Sequence, residues 1–196
     1  MTTPVKTSDK KLLILQAIAK MLESPAGNKV TTALLARQLD VSEAALYRHF
    51  ASKAQMYEGL IGFIESSLFS VINQIGNDEE NGLRQVELTL VTLLAFSQKN
   101  RGLTRVLIGD ALVHENPRLQ ARINQLLDRI EVSLKQSLRI AATQGLLAEG
   151  HDISAHADML VCFAVGRWHR FVKSGFQDDP LTQWARQWLL LASQMP

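Results

Sequence analysis

Between Ser42 and Lys53 the chain reads SEAALYRHFASK, setting two alanines ahead of a tyrosine, an arginine and a histidine. On a helix Leu46 and Phe50 would lie within about 40° of each other and point into a core. Ala44 and Arg48 then face outward, with Glu43 and Tyr47 on one flank and Ala45 and His49 on the other. Alanines at the leading end let a helix backbone approach base edges in a major groove and meet a thymine methyl, where bulkier side chains would hold it off. Tyr47, Arg48, His49 and Lys53 can contact phosphates, and so can Thr31, Thr32 and Ser42 together with the free N–H groups of the helix starts they would cap. Glu43 suits either of two uses, accepting from a cytosine amino group or complementing a helix dipole, and the second is the commoner. The chemistry expected of this set is recognition of duplex DNA; the plainer alternative is a helical hairpin with no partner.

The elements that must carry these groups are legible from spacing. Leu12, Leu15, Ala19 and Leu22 repeat as on a helix, with Ser8 or Asp9 as its N-cap and Pro25, Gly27 and Asn28 ending it. Thr31 or Thr32 caps a second, short helix whose Leu35 and Leu39 face inward. Asp40 stands where the chain must turn, being a residue that tolerates left-handed backbone. Ser42 caps a third helix, which gives a helix-turn-helix pattern behind a longer supporting helix. Further helices are expected at about 53–75, stopped by GNDEENG, and at about 83–99, 103–114, 118–147, 153–174 and 180–194. The fold class is therefore all-α: an N-terminal three-helix domain, residues 1–53, followed by a helical regulatory and dimerisation domain, residues 54–196.

Composition agrees. The 196 residues are 46% hydrophobic and 20% charged with 5 prolines, the balance of a folded helical protein. Net charge is only +2, but residues 1–53 hold eight Lys and Arg against four Asp and Glu, so the basic surplus sits beside the candidate reading helix and favours an anionic partner there. The one cysteine, Cys162 in MLVCFAV, excludes an intramolecular disulfide framework and is expected as a buried small hydrophobe. The apolar run after Thr7 is broken by Lys20 and no cleavage site follows, and no run approaches the roughly 18 residues of a membrane helix. The expected location is the cytoplasm.

Other chemistry finds little support. His151, His156 and Asp158, or His114 beside Glu115, could be drawn as acid-base or metal clusters, but His151 falls in an expected loop and His156 and Asp158 fall on different faces of one helix. With no Gly-rich phosphate loop and no nucleophile elbow, no catalytic residue, metal or cofactor is expected. Phe96, Phe163, Trp168, Trp184 and Trp188 could line a pocket for a small-molecule effector, although aromatics at helical spacing more often make a core or a subunit interface. LVCFAVGRWHRFVKSGF and LTQWARQWLLLASQM are too apolar to be solvated all round. They are expected to dimerise the protein as a four-helix interface through Phe163, Gly166, Trp168, Trp184 and Trp188, with Gly166 allowing close approach. A two-fold dimer would present its reading helices about 34 Å apart, which implies a pseudo-palindromic operator.

VTTALLARQLDVSEAALYRHFASKAQMYEGLI, from Val30 to Ile61, resembles the N-terminal signature of TetR-type regulators, in which a Leu-Tyr-x-His-Phe run ends the recognition helix and a Lys follows. The resemblance implies a homodimer, with Tyr47, His49 and Lys53 at phosphates and Thr32, Ser42, Glu43 and Ala44 at the groove. Many members have Gly in the turn where this chain has Asp40. Lys99 to Arg139 is similar to the body of a nucleoid occlusion branch of that family, whose members bind palindromic chromosomal sites and restrain the tubulin-like division protein FtsZ. Phe63 and Asn100 match the FtsZ-engaging surface of that branch, Lys99 replaces an arginine of it, and Val71 stands where it has a basic residue.

Overall fold

A computed structural model describes residues 7–24 and 30–192. Among them are nine α-helices: α1 Thr7–Leu22, α2 Thr32–Gln38, α3 Glu43–Tyr47, α4 Lys53–Asp78, α5 Gly82–Lys99, α6 Arg101–Leu107, α7 Pro117–Thr143, α8 Ile153–Lys173 and α9 Trp184–Ala192, with a 3-10 turn at Asp110–Leu112 and no strand. The all-α expectation holds, and no helix among the described residues is long and apolar enough to cross a membrane.

Several boundaries differ from those the spacing suggests, each for a local reason. α1 begins at Thr7, so Ser8 and Asp9 lie inside it, Asp9 in the first turn where its charge complements the helix dipole. The expected stop at Pro25, Gly27 and Asn28 lies outside the described residues. α4 runs through Gly76 and Asn77 before ending, because a single helical glycine weakens a helix without breaking it. The segment expected as one helix at 103–114 is broken after Leu107, since Gly109 takes a left-handed conformation at φ 77°. The final helix is shorter than expected and starts at Trp184.

By packing, the chain forms two compact units, one of Met1–Ile64 with Asn100–Ile123, the other of Glu65–Lys99 with Asn124–Pro196. In the first, Ile18, Leu35, Leu46, Met56, Tyr57 and Leu60 are buried, so α1, α2, α3 and the start of α4 all contribute to its core. α6 crosses α1 with backbone against backbone: a Cβ on Gly102 would lie 1.9 Å from the Ala19 carbonyl oxygen, a place where only glycine fits. Arg105 of α6, itself buried, pairs with Asp110 at 3.1 Å and donates to the Ser24 carbonyl at 3.1 Å. In the second unit α5 and α8 pack side by side, and Trp168 of α8 donates its indole N–H to the Leu93 carbonyl at 3.1 Å. α5 starts hard against the end of α7, where a Cβ on Gly82 would lie 2.3 Å from the Ala141 nitrogen. Asp152 caps α8 by accepting from the Ala155 N–H at 2.9 Å.

Candidate nucleic-acid interface

The 31–50 segment is built by local rules. Thr31 caps α2, its hydroxyl accepting from the Leu34 N–H at 3.2 Å, and Ser42 caps α3 by accepting from the Ala45 N–H at 3.2 Å. Between the two helices Asp40 takes φ 51°, the left-handed conformation expected of it. The Val41 N–H reaches back to the Ala36 carbonyl at 3.0 Å and closes the turn. Leu46 and Phe50 are buried, while Ala44, Tyr47 and Arg48 are exposed and Ala45 and His49 half-buried. On α2, Leu35 faces the core as expected, but Ala36 is its buried neighbour and Leu39 is only half-buried. α3 therefore turns a small, methyl-bearing face to solvent and anchors itself through its other face.

Two of the candidate residues are engaged with each other. The Thr32 hydroxyl donates to Glu43 Oε2 at 2.5 Å, tying the start of α2 to the start of α3 across the turn. Glu43 thus acts in the first place as a fastener between the two helices, a use that neither reading of its sequence position contained. Lys53 at the start of α4 is also engaged, its ammonium paired with Glu115. Ser52 caps α4, accepting from the Gln55 N–H at 3.2 Å, while Gln55 accepts from the Ala51 N–H at 2.9 Å.

A groove of about 270 Å³ opens between α1 and α3, lined by Leu13, Ile14, Val41 and Ala45 with Lys10, Arg48 and His49 and with no carboxylate. Lys10 is thereby brought to Arg48 and His49, a neighbour that reading residues 31 to 53 as a self-contained motif missed. Its signal was the basic surplus of the N-terminal segment, which had no position attached to it.

The remaining candidates divide. Trp168 is fully buried inside the single chain, where it bonds α5, and so corrects the expectation that it contributes to a subunit interface. Cys162, expected in the core, is exposed: the buried positions of α8 are His156, Ala157, Leu160, Val161, Ala164, Trp168, Phe171 and Val172, and Cys162 falls outside that stripe. Phe163 and Trp184 are half-buried with ring centroids 6.4 Å apart, Trp184 stacks on Trp188 at 5.7 Å, and Gly166 is exposed. A cavity of about 690 Å³ in the second unit is walled by Asn73, Gln85, Thr89, Gln136, Ser137 and Arg139 among others, and by none of these aromatics. Phe96 is half-buried.

His151 and His156, set aside from the sequence, do meet, Nε2 to Nδ1 at 2.8 Å. Asp158 is exposed while His156 is buried, so the two do occupy different faces. Among the described residues no three His, Cys, Asp or Glu side chains are placed to hold a metal ion. His114 is exposed, and its neighbour Glu115 is committed to Lys53.

Phe63 is 45% exposed on α4 beside a narrow apolar groove lined by Leu12, Leu15, Leu60 and Leu103. Lys99 is exposed at the end of α5, Asn100 is half-buried as the residue before α6, and Val71 is exposed.

Comparison with known proteins gives this geometry a lineage. Residues 14–60 match the domain model of bacterial regulatory proteins of the tetR family, and residues 80–196 match a tetracyclin repressor-like C-terminal domain of the SlmA-like kind. The chain is similar to proteins named nucleoid occlusion factor SlmA: 48% identical over 188 residues in Alteromonas mediterranea, covering 94% of each chain. In Aliivibrio fischeri the identity is 49% over 196 residues, covering 100% of each. Among solved structures, a TetR transcription regulator from Haloarcula marismortui superposes with a TM-score of 0.80 at 18% identity, covering 96% of this chain and 98% of that one. The Bacillus subtilis regulator FadR in complex with stearoyl-CoA gives 0.75 at 17%, covering 94% and 99%. The structural neighbours share the fold.

Proposed function

Because the chain belongs to the TetR family of bacterial regulatory proteins, whose members bind DNA as dimers, we propose that it is a sequence-specific, dimeric DNA-binding protein working as a nucleoid occlusion factor. It binds palindromic chromosomal sites and, so placed on the nucleoid, restrains FtsZ assembly. The observation that carries the DNA reading is the outward side of α3 and its C-cap, where Ala44 and Arg48 are exposed while Leu46 and, just past the helix, Phe50 are buried. Residues 1–53 form the DNA-binding part in this reading and residues 54–196 the regulatory and dimerising part. Ala44 and Ala45 meet base edges, Thr31, Ser42, Tyr47, Arg48, His49 and Lys53 grip phosphates, and Lys10 joins them from the groove it shares with Arg48 and His49. Thr32 and Glu43 hold α2 and α3 at their working angle through their hydrogen bond.

Dimerisation through α8 and α9 is supported by an imbalance: α9 reads WARQWLLLA, yet none of its residues is buried in the single chain, and Leu190 is 72% exposed. Phe163, Gly166, Trp184 and Trp188 belong to the same surface; a Cβ added at Gly166 would meet nothing within 4 Å, leaving room for a second backbone. For FtsZ, the exposed ring of Phe63 beside its apolar groove supports a docking contact, while Lys99 and Asn100 enter this reading through the sequence resemblance.

The test is selection of bound DNA from random genomic fragments, followed by an FtsZ polymerisation assay. Recovery of a pseudo-palindrome, and a block of FtsZ assembly by the protein–DNA complex but not by the protein alone, is the expected result. Recovery of a palindrome whose complex leaves FtsZ untouched would instead favour a transcriptional repressor answering to a small-molecule effector.

A further inference from the structure

Lys53 is the first residue of α4, and its ammonium is already occupied. It is paired with Glu115 and lies 5.6 Å from the centroid of the Tyr57 ring. The two paired side chains retain only 22% and 11% of their exposure, so this is no solvated surface contact. Glu115 comes from the turn before α7, held there by its own N–H donating to the Leu112 carbonyl at 2.9 Å. A second tie follows at once, Arg118 to Glu58 at 2.9 Å, so the segment entering α7 is fastened to the first two turns of α4. The buried Tyr57 hydroxyl registers the same carboxylate: burial first, and then the charge of Glu115, hold it well above the ordinary phenol range. At the start of α4 the protein thus supplies its own anion to a lysine that the DNA-binding reading assigns to a phosphate.

We propose that Glu115 is an internal competitor of the DNA backbone: it occupies the Lys53 ammonium in the free protein, and a phosphate engages Lys53 only by displacing or sharing that carboxylate. The inference rests on Lys53 being a phosphate contact, as the proposed function has it. Its physical content is a charge balance. A lysine already neutralised by a carboxylate gives up little when it meets a phosphate, and it recruits fewer released counterions than a free one. Glu115 also places a negative charge close to the approaching strand, so the backbone term of binding is held below what the cations of the head would give. Because that term is indifferent to base sequence, weakening it favours discrimination: the base contacts of Ala44 and its neighbours are left to make up a larger share of the affinity on the correct site.

The experiment measures binding of the full-length protein to its selected operator and to an unrelated duplex of equal length, by fluorescence anisotropy over a series of salt concentrations. Lys53→Ala, Glu115→Gln and the double variant Lys53→Ala/Glu115→Gln are compared with the parent, with melting curves as a check on folding. Glu115→Gln is expected to tighten binding roughly three- to tenfold on both duplexes and to steepen the log–log salt slope by up to about 0.9. Lys53→Ala is expected to weaken both, and the gain from Glu115→Gln to vanish when Lys53 is absent. If Lys53→Ala weakens binding while Glu115→Gln leaves it unchanged or weakens it too, the carboxylate orients the lysine and the competition proposed here is wrong, though Lys53 remains a contact. If Lys53→Ala changes nothing, the assignment of Lys53 itself fails and takes the proposal with it. Should Glu115→Gln not fold, Glu115→Asp draws the same charge back by one methylene and must give a smaller gain of the same sign; a loss overturns the idea.

Discussion

At the scale of single residues, the candidate site separates side chains that face outward from side chains that hold them in place. Ala44 is exposed at the front of α3 and has no polar atom with which to answer a charge. Ala44→Glu should abolish operator binding, since it would set an unpaired carboxylate against base edges. Tyr47→Ala should weaken binding to all sequences alike, because a phosphate contact carries no base information; anisotropy titrations against operator and random duplex distinguish the two. His156 offers a prediction of a different kind. It is buried, its Nδ1 is bonded to His151, and its Nε2 has no partner in the structure. Desolvation first, and then the neighbouring His151, lower its pKa from the ordinary 6.5. Because the folded value is depressed, the unfolded chain takes up the proton first as pH falls. Stability is then full above about pH 6.5 and declines below it until the folded value is passed. Melting temperatures should drop across that window, and a His156→Phe variant should show a shallower decline.

At the scale of elements, the turn between α2 and α3 sets the angle at which the reading helix is presented. Asp40 holds φ 51° there, a conformation costing a β-branched residue about 1–2 kcal/mol and glycine nothing. Asp40→Val should therefore destabilise the protein by about that amount, and Asp40→Gly should be neutral or slightly stabilising, as read by chemical denaturation. Having Asp rather than the Gly that the resemblance leads one to expect at this position thus has little structural consequence. Asp and Gly share the property the turn requires, tolerance of left-handed backbone, for different reasons: a short polar side chain in one, no side chain in the other.

For the molecule as a whole, the decisive question is what covers α9. Leu189 and Leu190 are both about 70% exposed and make no contribution to the core of the single chain. Leu189→Glu/Leu190→Glu should leave the melting of an isolated subunit nearly unchanged but convert the protein from dimer to monomer in sedimentation, at the dilution where the parent is dimeric. Operator affinity should fall with it, because a monomer offers one reading helix to a two-half site. A variant that stays dimeric would place the subunit interface elsewhere. The caps that start α2 and α3 were legible in the sequence, as was the exposure of Ala44 and Arg48, but α3 ends at Tyr47, short of the helical run to Phe50 that the spacing assumes. The packing of α6 on α1 was not legible, because nothing in RGLTRVL names its partner; only the contact of Gly102 with the Ala19 backbone does so.

What the sequence determined by itself is everything governed by neighbours three or four positions apart: the caps at Thr31 and Ser42, the left-handed Asp40, the burial of Leu46 and Phe50, and hence the exposure of Ala44 and Arg48. Cap, turn and face depend on backbone geometry that a dozen residues fix among themselves. The tertiary structure alone decided the pairings across distance: Lys53 with Glu115, 62 positions away, and Trp168 with the Leu93 carbonyl, 75 positions away. It likewise decided which side of α8 would hold Trp168 and which would leave Cys162 in solvent. A charge or an aromatic ring advertises what it can bind, but its partner is chosen by which helices pack together, and that choice belongs to the whole chain.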